Sequence, residues 1–267
     1  MITSEKDYPF VECATFADQI KEKGMMWQNN WHFVNYPYLD EGGSVNDFPN
    51  FKPDPHTVEL AIQDIMDWLM NKGDLATNFV YQNVMNHSIG TEEDGRSFAL
   101  RLLIHYVGDL HQPLHATARV DSKYPKGDAG GNFFKLPEYL GAKNLHSVWD
   151  SVMYLWTSTP PMPFSYGDWV SFSMNTTLIE EKHKITPGEW KNLDIHQWAL
   201  ESFEISKASV YPGIKEGEAL PDEYIAKNQD IIQRQIVLGG LRLSNIIQTI
   251  FQVQCLETSG VDCIQIE

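Results

Sequence analysis

Residues 105–115 read HYVGDLHQPLH, three histidines and an aspartate inside one short run. The run continues a helical pattern that begins upstream, in GRSFALRLLIHYVGDLHQ. Phe98, Leu102, His105 and Asp109 follow one another at i, i+4, i+7 and i+11, which places them on one stripe of a helix. Two apolar residues turn that stripe inward, and a histidine and an aspartate then prolong it. An inward carboxylate is costly unless a cation lies beside it. Pro113 stops the helix and pushes Gln112 out of helical geometry, so His115 is delivered from a turn.

HSVWD repeats the device, with His146 and Asp150 again at i, i+4. A lone H-x-x-x-D is ordinarily a solvated pair or a simple hydrogen bond. Two of them, with a further histidine in a proline turn, point to a metal centre. Imidazole and carboxylate without thiolate favour zinc over magnesium or calcium, which take all-oxygen shells. Two earlier residues are of the same types, Asp18 in FADQIK and His32 in WHFVNYPY. Local chemistry alone reads them as a surface aspartate and a packed histidine.

The remaining composition sets limits. The chain has 267 residues, 42% hydrophobic and 12% aromatic, with eight tryptophans, enough for one sizeable folded core. Its net charge of −16 excludes nucleic-acid binding through a broad basic surface. A phosphate ligand would have to be held by bound divalent cations instead. No apolar stretch reaches the ~20 residues of a membrane span. The opening MITSEKDYPF has no apolar run that could act as a signal peptide, which predicts a soluble, cytosolic chain. Cys13, Cys255 and Cys263 form no C-x-x-C pair, so thiolate zinc sites and dithiol redox chemistry are not expected. Cys255 and Cys263 are either free or joined by a short disulfide. Sequons at Asn86 and Asn175 permit glycosylation.

Helical periodicity dominates the chain. Helices are expected over FVECATFADQIKEKG, ended by Gly24, and over HTVELAIQDIMDWLMNKG, capped by Thr57 and stopped by Gly73. Further helices are expected in GRSFALRLLIHYVGDLHQ, in HSVWDSVMYLW, in ITPGEWKNLDIHQWALESFEISKASV, and from PDEYIAKNQD to LRLSNIIQTIF. Residues 34–56 and 116–145 are rich in Pro and Gly and read as irregular, apart from a short ribbon near NFFKL. The expectation is an all-α chain, one compact helical domain over residues 1–267. His111 is read as packing or support for the ligands, and His56, His87, His183 and His196 as surface residues. Asp74, Glu92, Glu93 and Asp94 read as a solvated acidic rim.

FADQIK, WHFVNYPY, HYVGDLHQPLH, GDAGGNFFK, NLHSVWDS and LGGLRL, in this order and spacing, resemble the zinc-dependent single-strand-specific nucleases of the S-one/P-one type. The plant bifunctional nucleases belong to that family, and the bacterial zinc phospholipases C are distant relatives of the same helical fold. The resemblance runs from about Asp18 to Phe251. It implies a site of three zinc ions in the family, two or three in this chain. It assigns Asp18, His32, His105 and Asp109 to one buried zinc, with Asp109 bridging to a second. It assigns His115, His146 and Asp150 to the more exposed third. Phe33 corresponds to an aromatic that stacks a nucleobase, and Asn132 to a neighbour of the phosphate. Lys21 stands where many members carry an arginine that steadies the transition-state phosphate, keeping the charge but not the bidentate fork. Asn35 stands where many members have a base-reading aspartate.

The resemblance departs at the start. Members begin with a tryptophan whose amino group and carbonyl bind zinc, followed by a histidine, and ITSEKDYPFVECA holds neither. The chain is therefore expected to be truncated at its N-terminus, or else to have lost that metal. The implied activity is hydrolysis of single-stranded DNA and RNA to 5′-phosphoryl products, with 3′-mononucleotides as a further substrate class. The alternatives are a catalytically impaired zinc-binding member and, behind it, a phospholipase C-like lipid hydrolase. A monomer without membrane contact is expected. Secretion or a luminal location follows if a signal-bearing N-terminus is missing.

Overall fold

Several helix starts in this chain are fixed by side chains that take up the orphan amides of the first turn. Thr57, in extended backbone, accepts from the Leu60 amide at 3.5 Å and opens α3, Val58–Leu69. Asn78 accepts from the Tyr81 amide at 2.7 Å and opens α4, Phe79–Asn86. Thr91 and Asp94 cap each other reciprocally to start α5, Glu92–Leu110. The computed structural model describes residues 8–87, 89–157 and 160–257, with side chains as far as residue 252.

These three helices pack on one another through Ile62, Ile65, Trp68, Val80, Val84, Leu102, Leu103 and Tyr106, all fully buried. The N-terminal helices α1, Pro9–Cys13, and α2, Phe16–Glu22, lie against α5. They are followed by a 3-10 segment, Met26–His32. The chain closes with a short α6, Leu145–Asp150, then α7, Tyr166–Lys182, α8, Pro187–Trp190, α9, Ile195–Ile205, and the long α10, Asp222–Glu257. One π-helical turn, Ser206–Val210, extends α9. A second apolar cluster, with Leu114, Phe134, Leu145, Trp149 and Ile232, lies behind the proline turn. The architecture is all-α, as expected. No described helix is long and apolar enough to cross a membrane.

The strands are short but well placed. β1, Tyr36–Tyr38, pairs in parallel with β2, Thr117–Arg119. That pairing continues into Val34 N–H to His115 O at 2.9 Å and Tyr36 N–H to Ala116 O at 2.8 Å, so the segment after His32 is tied to the turn that carries His115. The ribbon near NFFKL is an antiparallel hairpin of β3, Lys135–Tyr139, and β4, Ala142–Asn144.

Besides the β1–β2 pair, which falls in stretches read as irregular, four expectations need correction. The first helix is two, because Thr15 leaves helical geometry (φ −105°, ψ 2°). The HSVWDSVMYLW helix stops at Asp150. Ser151 donates to Val148 O and accepts from Tyr154 N–H, and Val152, Met153 and Tyr154 all take positive φ. The segment from Ile185 to Val210 is split between α8 and α9, where Asn192 and Asp194 accept backbone amides and turn the chain. Finally, His183 is buried, at 8% exposure, rather than on the surface. The pairing considered for Cys255 and Cys263 lies outside the described side chains.

Candidate metal centre

Two groups of donors meet where α2, the 3-10 segment, α5, the proline turn and α6 converge. In the first group, His32 Nδ1 lies 2.7 Å from Asp109 Oδ2, and His105 Nε2 lies 3.2 Å from the same oxygen. Asp18, from α2, stands 3.7 Å from His105 Nε2 and 3.9 Å from His32 Nδ1. In the second, His115, His146 and Asp150 bring one donor atom each to within 4.8 Å of one another. Asp109 lies beside both groups, its Oδ1 3.7 Å from His115 Nδ1, the nitrogen turned away from the other donors of the second group. The residues singled out by i, i+4 spacing and those drawn from distant parts of the chain thus occupy one place.

Each imidazole is held by its outer nitrogen. His105 Nδ1–H donates to Ala14 O at 2.6 Å, His115 Nδ1–H to His32 O at 2.8 Å and His146 Nδ1–H to Gly130 O at 2.7 Å. His32 Nε2–H donates to the Gln28 side-chain oxygen at 2.8 Å. Those partners only accept, so each ring in its neutral form carries its lone pair on the other nitrogen, the one available to a metal ion. The break at Thr15 acquires a purpose here, because it frees the Ala14 carbonyl from the helix ladder.

His32 Nδ1 and His105 Nε2 face each other at 3.2 Å, beside the Asp109 carboxylate. Neutral rings bring no hydrogen to that contact, so the cluster calls for positive charge. The ionisation of the side chains reflects the same demand. Burial lowers the His105 pKa, but Asp109 and Asp18 outweigh it and raise the group to about 9. Burial likewise raises Asp109, but His115 and His105 hold it well below the ordinary carboxylate range. His115 is lowered, chiefly by its burial. Desolvation raises Asp18, yet the Lys21 hydrogen bond and His105 bring it below its usual value. Nitrogen and carboxylate donors without sulfur suit a divalent ion of the zinc class.

The other predicted residues border this centre. Lys21 Nζ contacts Asp18 Oδ1 at 2.8 Å. Phe33 stacks on the His115 ring, with centroids 4.7 Å apart. Asn35, at φ 57°, donates to Asp54 Oδ2 at 3.4 Å. Asn132 donates to Ala129 O in the GGN turn. That turn depends on Gly130, at φ +58°, where an added Cβ would lie 2.5 Å from Leu114 O. Buried Asp128 anchors the loop by accepting from Arg119 N–H and Tyr211 O–H. His111 points elsewhere, donating to Val107 O and accepting from Arg242, which agrees with a packing role.

Sequence reasoning missed the residues that hold the ligands. Gln28 is one, and its i, i+4 spacing to His32 was the available signal. Gln112 is another. Its oxygen accepts from Leu114 N–H at 2.6 Å while its amide donates to Asp150 Oδ1 at 2.9 Å.

A helical chain with histidine and aspartate donors gathered in two adjoining groups has the make-up of a metal-dependent hydrolase. The sequence matches the S1/P1 nuclease family across residues 1–252, and the chain belongs to that family. It is 28% identical to Endonuclease 1 of Arabidopsis thaliana over 245 residues, covering 84% of this chain and 69% of the relative. It is 26% identical to Endonuclease 5 of the same plant, covering 90% and 77%. Nuclease P1 of Penicillium citrinum is 27% identical, covering 89% and 83%.

Proposed function

We propose that this chain is a zinc-dependent endonuclease that hydrolyses single-stranded DNA and RNA to 5′-phosphoryl products, and 3′-mononucleotides as well. The observation that carries this is the convergence of four imidazoles with the carboxylates of Asp18, Asp109 and Asp150. Asp18, His32, His105 and Asp109 would hold one ion, and His115, His146 and Asp150 another. Bound zinc supplies Lewis-acid charge to phosphate oxygens and acidifies water near neutral pH.

The chain's own residues do the rest. Asp109 would give Oδ2 to the first ion, and its Oδ1 lies beside the His115 ring of the second group. The outer hydrogen bonds of the four histidines set ring orientation before any substrate arrives, so little reorganisation is left for the reaction. Lys21 adds a cation at the rim, where Asp18 is 63% exposed. Phe33, stacked on His115, offers an aromatic platform beside the donors. Stacking on it requires an unpaired base, which favours single strands. In the net reaction water adds to phosphorus, and the 3′-oxygen departs with a proton.

The test is hydrolysis of single-stranded RNA and DNA in added zinc, with a chelated control and with phosphatidylcholine as a competing substrate class. Zinc-dependent cleavage of the nucleic acids, lost in Asp109→Ala, is the expected result. A folded, zinc-loaded chain that cleaves neither would refute the proposal.

A further inference from the structure

We infer that Gln28 is the positioning residue of the Asp18–His32–His105–Asp109 group, selecting which nitrogen of His32 faces the ion. This rests on the metal reading above and concerns how the chain builds that site. Gln28 is fully buried. Its amide nitrogen donates to Ala17 O at 2.9 Å and approaches Met25 O at 3.4 Å. Both partners are carbonyls, so the amide cannot be turned the other way without opposing oxygen to oxygen. Its oxygen therefore faces His32 Nε2 at 2.8 Å and accepts from Tyr106 O–H at 2.6 Å. An amide oxygen only accepts, so the His32 proton sits on Nε2 and the lone pair on Nδ1. That Nδ1 is the atom 2.7 Å from Asp109.

Two features set His32 apart from the other three rings. The others donate through Nδ1 to main-chain carbonyls, which no side-chain substitution removes. His32 alone among the four is held through Nε2, and by a side chain. The same amide also touches each element that brings a donor to this group. Ala17 precedes Asp18 on α2, and Tyr106 follows His105 on α5. Gln28 thus sets both the tautomer of one ligand and the spacing of its neighbours. It touches no member of the His115–His146–Asp150 group, which serves as an internal control.

The experiment is a zinc titration of the full chain and of Gln28→Met, which keeps the side chain's bulk without its polar atoms. The expected result is a loss of about 10–100-fold in affinity for one binding step, as outer partners of metal ligands typically show, with a smaller change in the other. His146→Ala assigns the steps by removing the second. The tautomer is read directly by 15N NMR of histidine-labelled, zinc-loaded wild-type protein, which decides the matter even where Gln28→Met does not fold. A proton on His32 Nε2 is expected, and a proton on Nδ1 overturns the inference. Equal affinities in Gln28→Met and wild type overturn it too. A wild-type chain that takes up no zinc overturns the functional reading itself.

Discussion

Gly130→Ala should damage this protein far more than the same change at Gly141, and the difference measures how tightly the metal turn is built. Both glycines have positive φ, +58° and +84°. Alanine in left-handed backbone costs about 1–2 kcal/mol at either place. Around Gly141 nothing lies within 4 Å of an added Cβ, so that cost stands alone. At Gly130 the Cβ would meet Leu114 O at 2.5 Å. That is roughly 1 Å inside favourable contact, and against backbone rather than a mobile side chain. Overpacking of this kind adds about 1–3 kcal/mol. The total is about 2–5 kcal/mol, or on the order of 5–15 °C in Tm, against a few degrees for Gly141→Ala. Relief of the clash must move either Leu114, the neighbour of His115, or the Gly130 carbonyl that holds His146. Paired thermal melts and zinc titrations of the two variants provide the assay. Equal Tm losses, or an undisturbed second zinc step in Gly130→Ala, would refute the reasoning.

Three further outcomes are expected. Phe33→Ala should raise KM for single-stranded substrates by roughly 5–150-fold, from a stacking contribution of about 1–3 kcal/mol per base, while leaving zinc content unchanged in metal analysis. His111 is held neutral, its pKa lowered to about 3 by burial and by Arg242. Unfolding restores it to near 6.5, so its contribution is complete above that pH and is lost, at about 1.4 kcal/mol per unit, as pH falls toward 3. Chemical denaturation across that window should show a shallower acid limb in His111→Gln. Chelation should lower the Tm of the loaded protein in a manner reversed by added zinc, because ions that bind only the folded chain stabilise it by mass action. A Tm indifferent to chelator would count against both donor groups.

How much of this was legible in the sequence depends on how local each relation is. His105 with Asp109, and His146 with Asp150, could be paired from spacing, because one helical turn fixes both members. Asp18 and His32 come from separate elements, and only family likeness joined them to the rest. The main-chain acceptors Ala14, His32 and Gly130 have no side-chain signature at all, so pattern reasoning could not find them. Apolar spacing misled after Asp150. Val152 and Met153 are buried, but in left-handed backbone that follows a serine turn rather than in helix. Helix α7 escaped notice for the opposite reason. Tyr166, Met174 and Leu178 are 85%, 61% and 60% exposed, so its pattern does not advertise a buried face.

The hydrogen bond from His115 Nδ1 to the His32 carbonyl joins a donor of one group to the backbone of the other. An ion that immobilises His32 also immobilises the carbonyl from which His115 hangs. On the proposed two-ion reading, the second ion would find part of its ordering already done, and uptake would be cooperative without any change of fold. Linkage makes the effect reciprocal, so loss of either ion weakens the hold on its neighbour by the same factor.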